Sequence, residues 1–179
     1  MPEANPLLKI NEPDVLAQEL KYDGIFPNSK LELLVYRKAV DLPEEDPASV
    51  FEQLFGANNW HGNLRNGIYP YHHYHSTAHE VLGVYCGWAK VQLGGEKDLA
   101  LEIQAGDVII IPAGDAHKKL RSSADFRVVG AYPEGQDLDM NYGKSGERPG
   151  VDRNIERVAL PKQDPIYGAG GPLLEKWMD

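Results

Sequence analysis

The chain has one cysteine, Cys86, among its 179 residues, so no disulfide can form within it. Such sparing use of cysteine fits a reducing compartment. No apolar run approaches the roughly 18 residues that a membrane-spanning helix requires. The opening segment MPEANPLLKI has neither the basic start nor the apolar core of a secretory leader, and a cytoplasmic protein is expected. Positive charge is scarce too: 18 Lys and Arg stand against 27 Asp and Glu, a formal net charge of −9. An acidic surface repels phosphate backbones and anionic lipids, so neither a nucleic-acid nor a membrane partner is expected.

What is present is an ordinary globular composition, 42% hydrophobic, in a length that suits one domain with a real core. Eighteen glycines and thirteen prolines punctuate the chain and favour many short strands and turns over long helices. Residues 1–14 read as a polar, proline-bearing surface arm. Apolar runs at 15–20 and 31–36 read as strands, joined by a loop with the turn chemistry of Asp23-Gly24 and Pro27-Asn28. A helix is expected over 47–56, with Asp46 as N-cap and Pro47 at its first position. Val50, Phe51, Leu54 and Phe55 recur there at helical spacing, and Gly56 is the stop.

From residue 66 to 132 the pattern shortens. Strands are expected at 68–75, 80–85, 88–93, 99–103, 108–111, 117–120 and 126–131, a density that suggests a sandwich or barrel. Residues 133–158 are polar and glycine-bearing and read as a long loop, functional or mobile. The closing stretch offers Ile166, Tyr167, Leu173, Leu174 and Trp177 as anchors for docking on the outside of the barrel or on a second subunit.

The chemistry concentrates in GIYPYHHYHSTAHEVLGVYCG, residues 67–87. Four of the six histidines, His72, His73, His75 and His79, fall within eight residues, and Glu80 follows directly. Alternate side chains share a face of a strand, so His73 and His75 point one way with Tyr69 and Tyr71, while His72 and Tyr74 point the other. The turn after His75 delivers Glu80 at the head of the next strand. Two imidazoles and a carboxylate joined by a hairpin make a half-built metal site.

Gly67-x5-His73-x-His75-x4-Glu80-x6-Gly87 resembles the first motif of the cupin superfamily at every defined position, and Gly106-x5-Pro112-x-Gly114-x2-His117 resembles the second. The second pattern then expects an asparagine where this chain has Arg121. More narrowly, HHYHSTAHEVLGVY, AKVQLGGE, FRVVGAYPEGQDLDMNYGK and the closing DPIYG and GPLLEKW are similar to the YjlB-like cupin family across nearly the whole chain. The resemblance implies an all-β double-stranded β-helix, the cupin jelly roll. It would form a single domain over 1–179, with a barrel core at about 66–132, an N-terminal extension over 1–65 and a C-terminal loop and tail over 133–179.

The same resemblance implies one divalent transition metal inside the barrel (Fe, Mn, Ni, Zn, Co or Cu), held by His73, His75, Glu80 and His117. Four protein ligands in an octahedral frame leave two adjacent positions for substrate, water or dioxygen. Around them, Tyr69 and Tyr71 either donate hydrogen bonds to a bound ligand or fill the core. Lys119 shares the parity of His117 and either enters the barrel as an anion-binding group or stays at a solvated strand edge. Arg121 continues that face toward the barrel mouth. His72 has the wrong parity for a ligand. His79 either replaces Glu80 through a shifted turn or orients a ligand. His61 reads as a surface loop residue, and Cys86 as a buried inward thiol.

Three functions fit this reading. They are metal-dependent turnover of a small oxygen-rich molecule, with an oxygenase as the leading form; redox-neutral isomerisation, epimerisation or decarboxylation of a sugar acid; and non-catalytic binding of a small molecule or metal. A small-molecule ligand and a homodimer are the expected partners.

Overall fold

The computed structural model of the chain describes residues 8–178, so residues 1–7 of the expected arm lie outside the described residues. In chain order the elements are β1 (Lys9–Ile10), β2 (Val15–Glu19), β3 (Glu32–Tyr36), β4 (Val40–Asp41), α1 (Pro47–Ala57), β5 (Trp60–Asn66), β6 (Glu80–Cys86), β7 (Trp88–Leu93), β8 (Leu99–Gln104), β9 (Val108–Ile111), β10 (His117–Ser122), β11 (Arg127–Pro133), α2 (Gly150–Arg157) and α3 (Pro172–Trp177). Every paired strand is antiparallel. One sheet has the order β2-β3-β9-β6-β11-β5, a second β10-β7-β8, and β1 pairs with β4. From β6 to β11 the chain crosses repeatedly between the two larger sheets. The fold is the all-β jelly roll that the sequence leads one to expect.

The near-continuous apolar strands divide by alternation into two cores. Leu33 and Val35 of β3, Leu82 and Val84 of β6, Ile109 and Ile111 of β9 and Val128 of β11 face the second sheet. There they meet Ala89, Val91, Leu93 and Ile103. Leu34, Tyr36, Val81, Val108, Ile110, Val129 and Ala131 face outward, where Phe51 and Phe55 of α1 cover them together with Ile166, Leu173 and Trp177. The large sheet is therefore buried on both faces. The C-terminal anchors dock on this chain's own sheet, the first of the two alternatives open to them. Gly83 is the close-approach point under α1: a Cβ there would lie 2.6 Å from the Phe51 ring.

Several expectations change. Residues 68–75 do not form a regular strand. Pro70 has no N–H to give a ladder, and the segment meets its neighbours through isolated bridges, His73 to His117 and Tyr74 to Asn141, and single bonds from the N–H groups of Lys119 and Gly114 to the carbonyls of Tyr69 and His75. WHGNLRN forms the edge strand β5, so His61 sits on a strand rather than a loop. The segment 133–158 contains α2, whose one buried residue is Val151. The rest of that segment is tied down: Tyr74 and Asn141 exchange backbone bonds, and the Glu147 carboxylate accepts from Tyr74 Oη. Asp46 makes no side-chain cap and adopts a left-handed backbone; α1 begins at Pro47 and runs past Gly56 to Ala57. Lys9 and Ile10 pair with Val40 and Asp41, so the end of the expected arm is a short strand. Among the described residues no helix is long and apolar enough to cross a membrane.

Candidate metal centre

Two stretches of chain meet at one end of the sandwich. The backbone N–H of His73 donates to the carbonyl of His117 at 3.2 Å, and the N–H of His117 donates to the carbonyl of His73 at 3.0 Å, which fixes the irregular segment against the head of β10. The His75 carbonyl accepts from the Gly114 N–H at 2.8 Å, tying the same segment to the turn before β10. Glu80 opens β6 with the parity of Leu82 and Val84, which turns its carboxylate into the sandwich. His73, His75, Glu80 and His117 are between 2% and 6% exposed. One ring nitrogen from each of the three histidines lies within 4.8 Å of the others, so this group can hold a metal ion.

The backbone sets the tautomers. Nδ1 of His73 faces the Tyr71 carbonyl at 3.1 Å, Nδ1 of His75 the Asp139 carbonyl at 2.6 Å, and Nδ1 of His117 the Asp115 carbonyl at 3.1 Å. A carbonyl only accepts, so each Nδ1 carries the hydrogen and each Nε2 keeps its lone pair for the cavity. Nε2 of His75 stands 3.4 Å from Glu80 Oε2, and Nε2 of His117 stands 3.4 Å from Glu80 Oε1. Burial, with help from His117, pulls the His73 pKa down to about 3, leaving that ring neutral. Burial opposes charge on Glu80, yet His75 and His117 together hold its carboxyl well below the usual carboxylate range. Burial also opposes charge on His75, but the Glu80 carboxylate outweighs it and raises the His75 pKa. The cluster thus pairs a cation-stabilising carboxylate with imidazoles whose lone pairs converge. That donor set fits a divalent transition ion.

The four side chains line a cavity of about 120 Å³ whose wall also includes Tyr69, Leu64, Met140 and Tyr132. Two contributors are absent from the sequence reading. Tyr132 Oη donates to Glu80 Oε2 at 2.6 Å. Asp139, besides aiming His75, accepts the Ser76 N–H on its carboxylate at 2.6 Å. The alternation Val128, Gly130, Tyr132 is a signal that could have placed Tyr132 inward. Nothing local marks Asp139, which lies 64 positions from His75.

Tyr69 and Tyr71 are each 45% exposed and stacked on one another, with centroids 5.0 Å apart, which excludes core filling. Tyr69 meets His73 edge-on at 5.2 Å and lines the cavity; Tyr71 instead lines a neighbouring cleft with Phe26 and Tyr142. Lys119 pairs with the inward residue Val91 but is only half-buried and does not line the cavity. A bulge after Lys119 places Arg121 opposite Lys90, outside, with its guanidinium 5.9 Å from the Trp88 ring. A register shift at the end of β6 likewise leaves Cys86 half-buried, with Sγ 3.4 Å from Asp125 Oδ2, where a buried inward thiol was expected. His72 turns away and bonds Glu96 at 2.9 Å. His79 is buried against Trp177, with Nδ1 accepting the Ala113 N–H at 2.9 Å, and burial pulls its pKa down to about 4.

The chain has the cupin jelly-roll fold, with three histidines gathered at one end of the sandwich. It belongs to the YjlB family: it is 43% identical over 157 residues to Uncharacterized protein YjlB of Bacillus subtilis (strain 168), covering 87% of this chain and 92% of that protein. No family model matches the chain. Among solved structures it is similar to the 11S allergen of Cocos nucifera L. (TM-score 0.37, 20% identity, 53% of this chain and 31% of that one). It is also similar to pumpkin seed globulin (TM-score 0.36, 20% identity, 72% and 28%). The chain spans about a third of the length of these globulins.

Proposed function

We propose that the chain is a metal-dependent cupin that binds one divalent transition ion through His73, His75, His117 and Glu80 and acts on a small oxygen-rich organic molecule. The observation that carries this reading is the convergence of three buried Nε2 lone pairs, each tautomer fixed by a main-chain carbonyl. The ion, when bound, would supply Lewis-acid polarisation or oxygen activation. The chain's own part is to aim three imidazoles, to exclude bulk water, and to restrict what enters. A cavity of about 120 Å³ admits only the oxygen-bearing head of a substrate. Tyr69, half-exposed and edge-on to His73, stands at the mouth, where its hydroxyl can bond the remainder.

Elemental analysis after reconstitution with Fe(II), Mn(II), Ni(II), Co(II), Cu(II) and Zn(II) tests the site. The expected result is one ion per chain in the native protein and none in His117→Ala. The native protein taking up none of the six ions overturns the reading. Oxygen uptake across enediol, phenol and thiol substrates then tests the oxygenase form, which anaerobic turnover of a sugar acid would replace with the redox-neutral one.

A further inference from the structure

Glu80 is not free to choose how it meets an ion. Its Oε2 accepts the Tyr132 hydroxyl at 2.6 Å and stands 3.4 Å from His75 Nε2, while its Oε1 stands 3.4 Å from His117 Nε2 and accepts no such hydroxyl. The phenol can only donate to this carboxylate, so one oxygen has a lone pair committed and its charge drawn toward Tyr132. Two features of the chain seat the ring. The alternation of β11 puts Val128, Gly130 and Tyr132 on the inner face beside β6. Gly62 of β5, at φ +110°, lets the ring lie against the backbone, since a Cβ would stand 3.1 Å from Tyr132 Cδ2.

Resting on the metal reading above, we infer that Tyr132 is a positioning residue that restricts Glu80 to binding the ion through a single oxygen, Oε1, so that the carboxylate does not spread over a second coordination position. Without the phenol, both oxygens are available and Glu80 chelates. A tyrosine that merely satisfied its own hydroxyl would leave the ion's surroundings unchanged on removal.

Cobalt(II) serves as the probe, in the native protein and in Tyr132→Phe, with visible absorption for coordination number and competition against a chelator for affinity. The expected result is a weaker visible band in Y132F, as a chelating carboxylate raises the coordination number, together with an affinity change of about tenfold or more. Superimposable spectra overturn the inference, whatever the affinity does. A native protein that takes up no cobalt, nor any of the other five ions, sinks the metal reading instead, so the two failures are distinguishable. If Y132F does not fold, the metal-free native protein still decides. The Tyr132 hydroxyl should appear as a downfield, exchange-protected proton coupled to Glu80, and its absence overturns the inference.

Discussion

Replacing Asp164 with alanine should unfasten the C-terminal segment from the large sheet. The Asp164 side chain is fully buried and serves four donors. Oδ2 accepts Tyr36 Oη at 2.5 Å and the Leu173 N–H at 3.1 Å; Oδ1 accepts the N–H of Ile166 at 2.8 Å and of Tyr167 at 3.0 Å. Gly171 packs so close that a Cβ there would lie 2.3 Å from Asp164 Cβ, so water cannot easily enter to replace the carboxylate. Each buried donor left without an acceptor costs about 1–3 kcal/mol. The Tyr36 hydroxyl can rotate and the loop can relax, so the four losses do not add in full, and about 3–6 kcal/mol is expected. Against a typical stability of about 5–15 kcal/mol this is severe. At this chain length it corresponds to a fall in Tm of roughly 6–24 °C. Asp164→Asn should lose less, because its amide oxygen can still accept from Ile166 and Tyr167 and only the Leu173 N–H is left facing an amide N–H. Urea unfolding followed by tryptophan fluorescence is the assay, since buried Trp177 and Trp60 report on this region. A loss below about 1 kcal/mol in D164A would refute the hydrogen-bond reasoning. Metal uptake should persist in whatever fraction remains folded, because the histidine cluster lies on the inner side of the sheet.

An ion joining the segment before β6 to β10 should stabilise the fold: at a hundred times its dissociation constant the gain is about 2.7 kcal/mol. Thermal melts with and without chelator should therefore separate by roughly 5–11 °C, and that separation should vanish in His117→Ala. An equal shift in H117A would show that the ion binds elsewhere. For Glu147, burial raises the pKa, but the N–H of Tyr142, the Tyr74 hydroxyl and the N–H of Gly143 outweigh it and hold the carboxyl below its ordinary value. A depressed folded pKa means that the contribution is present above the unfolded pKa and is lost as pH falls through the folded one. The stability gap between the native protein and Glu147→Gln, read by urea midpoints, should accordingly close on acidification below about pH 4.5. A gap that stays constant would contradict that assignment.

The scaffold was readable where residues alternate or cluster strongly. ELLVY and VIII each lie at the centre of the large sheet, and the parity that turns Glu80 inward follows from EVLGV alone. Polar elements escaped: β5 has one fully buried residue, Trp60, and α2 one, Val151, so neither carries a hydrophobic period. Pro70 broke the expected strand over 68–75, yet His73 and His75 kept their common side because the chain remains extended against β10. The misplacement of Arg121 and Cys86 has one cause: single-residue register shifts that flip everything beyond them. Asp139 and the bond between Tyr132 and Glu80 depend on long-range closure, which no local pattern encodes.

Tyr71, Asp115 and Asp139 orient the three imidazoles through main-chain oxygens, and the Asp115 and Asp139 carboxylates hold that main chain in place by accepting the N–H groups of Ser29 and Ser76. At position 71, whose side chain is 45% exposed, any residue that preserves the local path would leave the His73 ring pointing inward. A single inserted or deleted residue in either stretch would misdirect the rings. The site is thereby tolerant of substitution at Tyr71 and intolerant of changes in length, which tells a protein engineer to leave these loop lengths untouched.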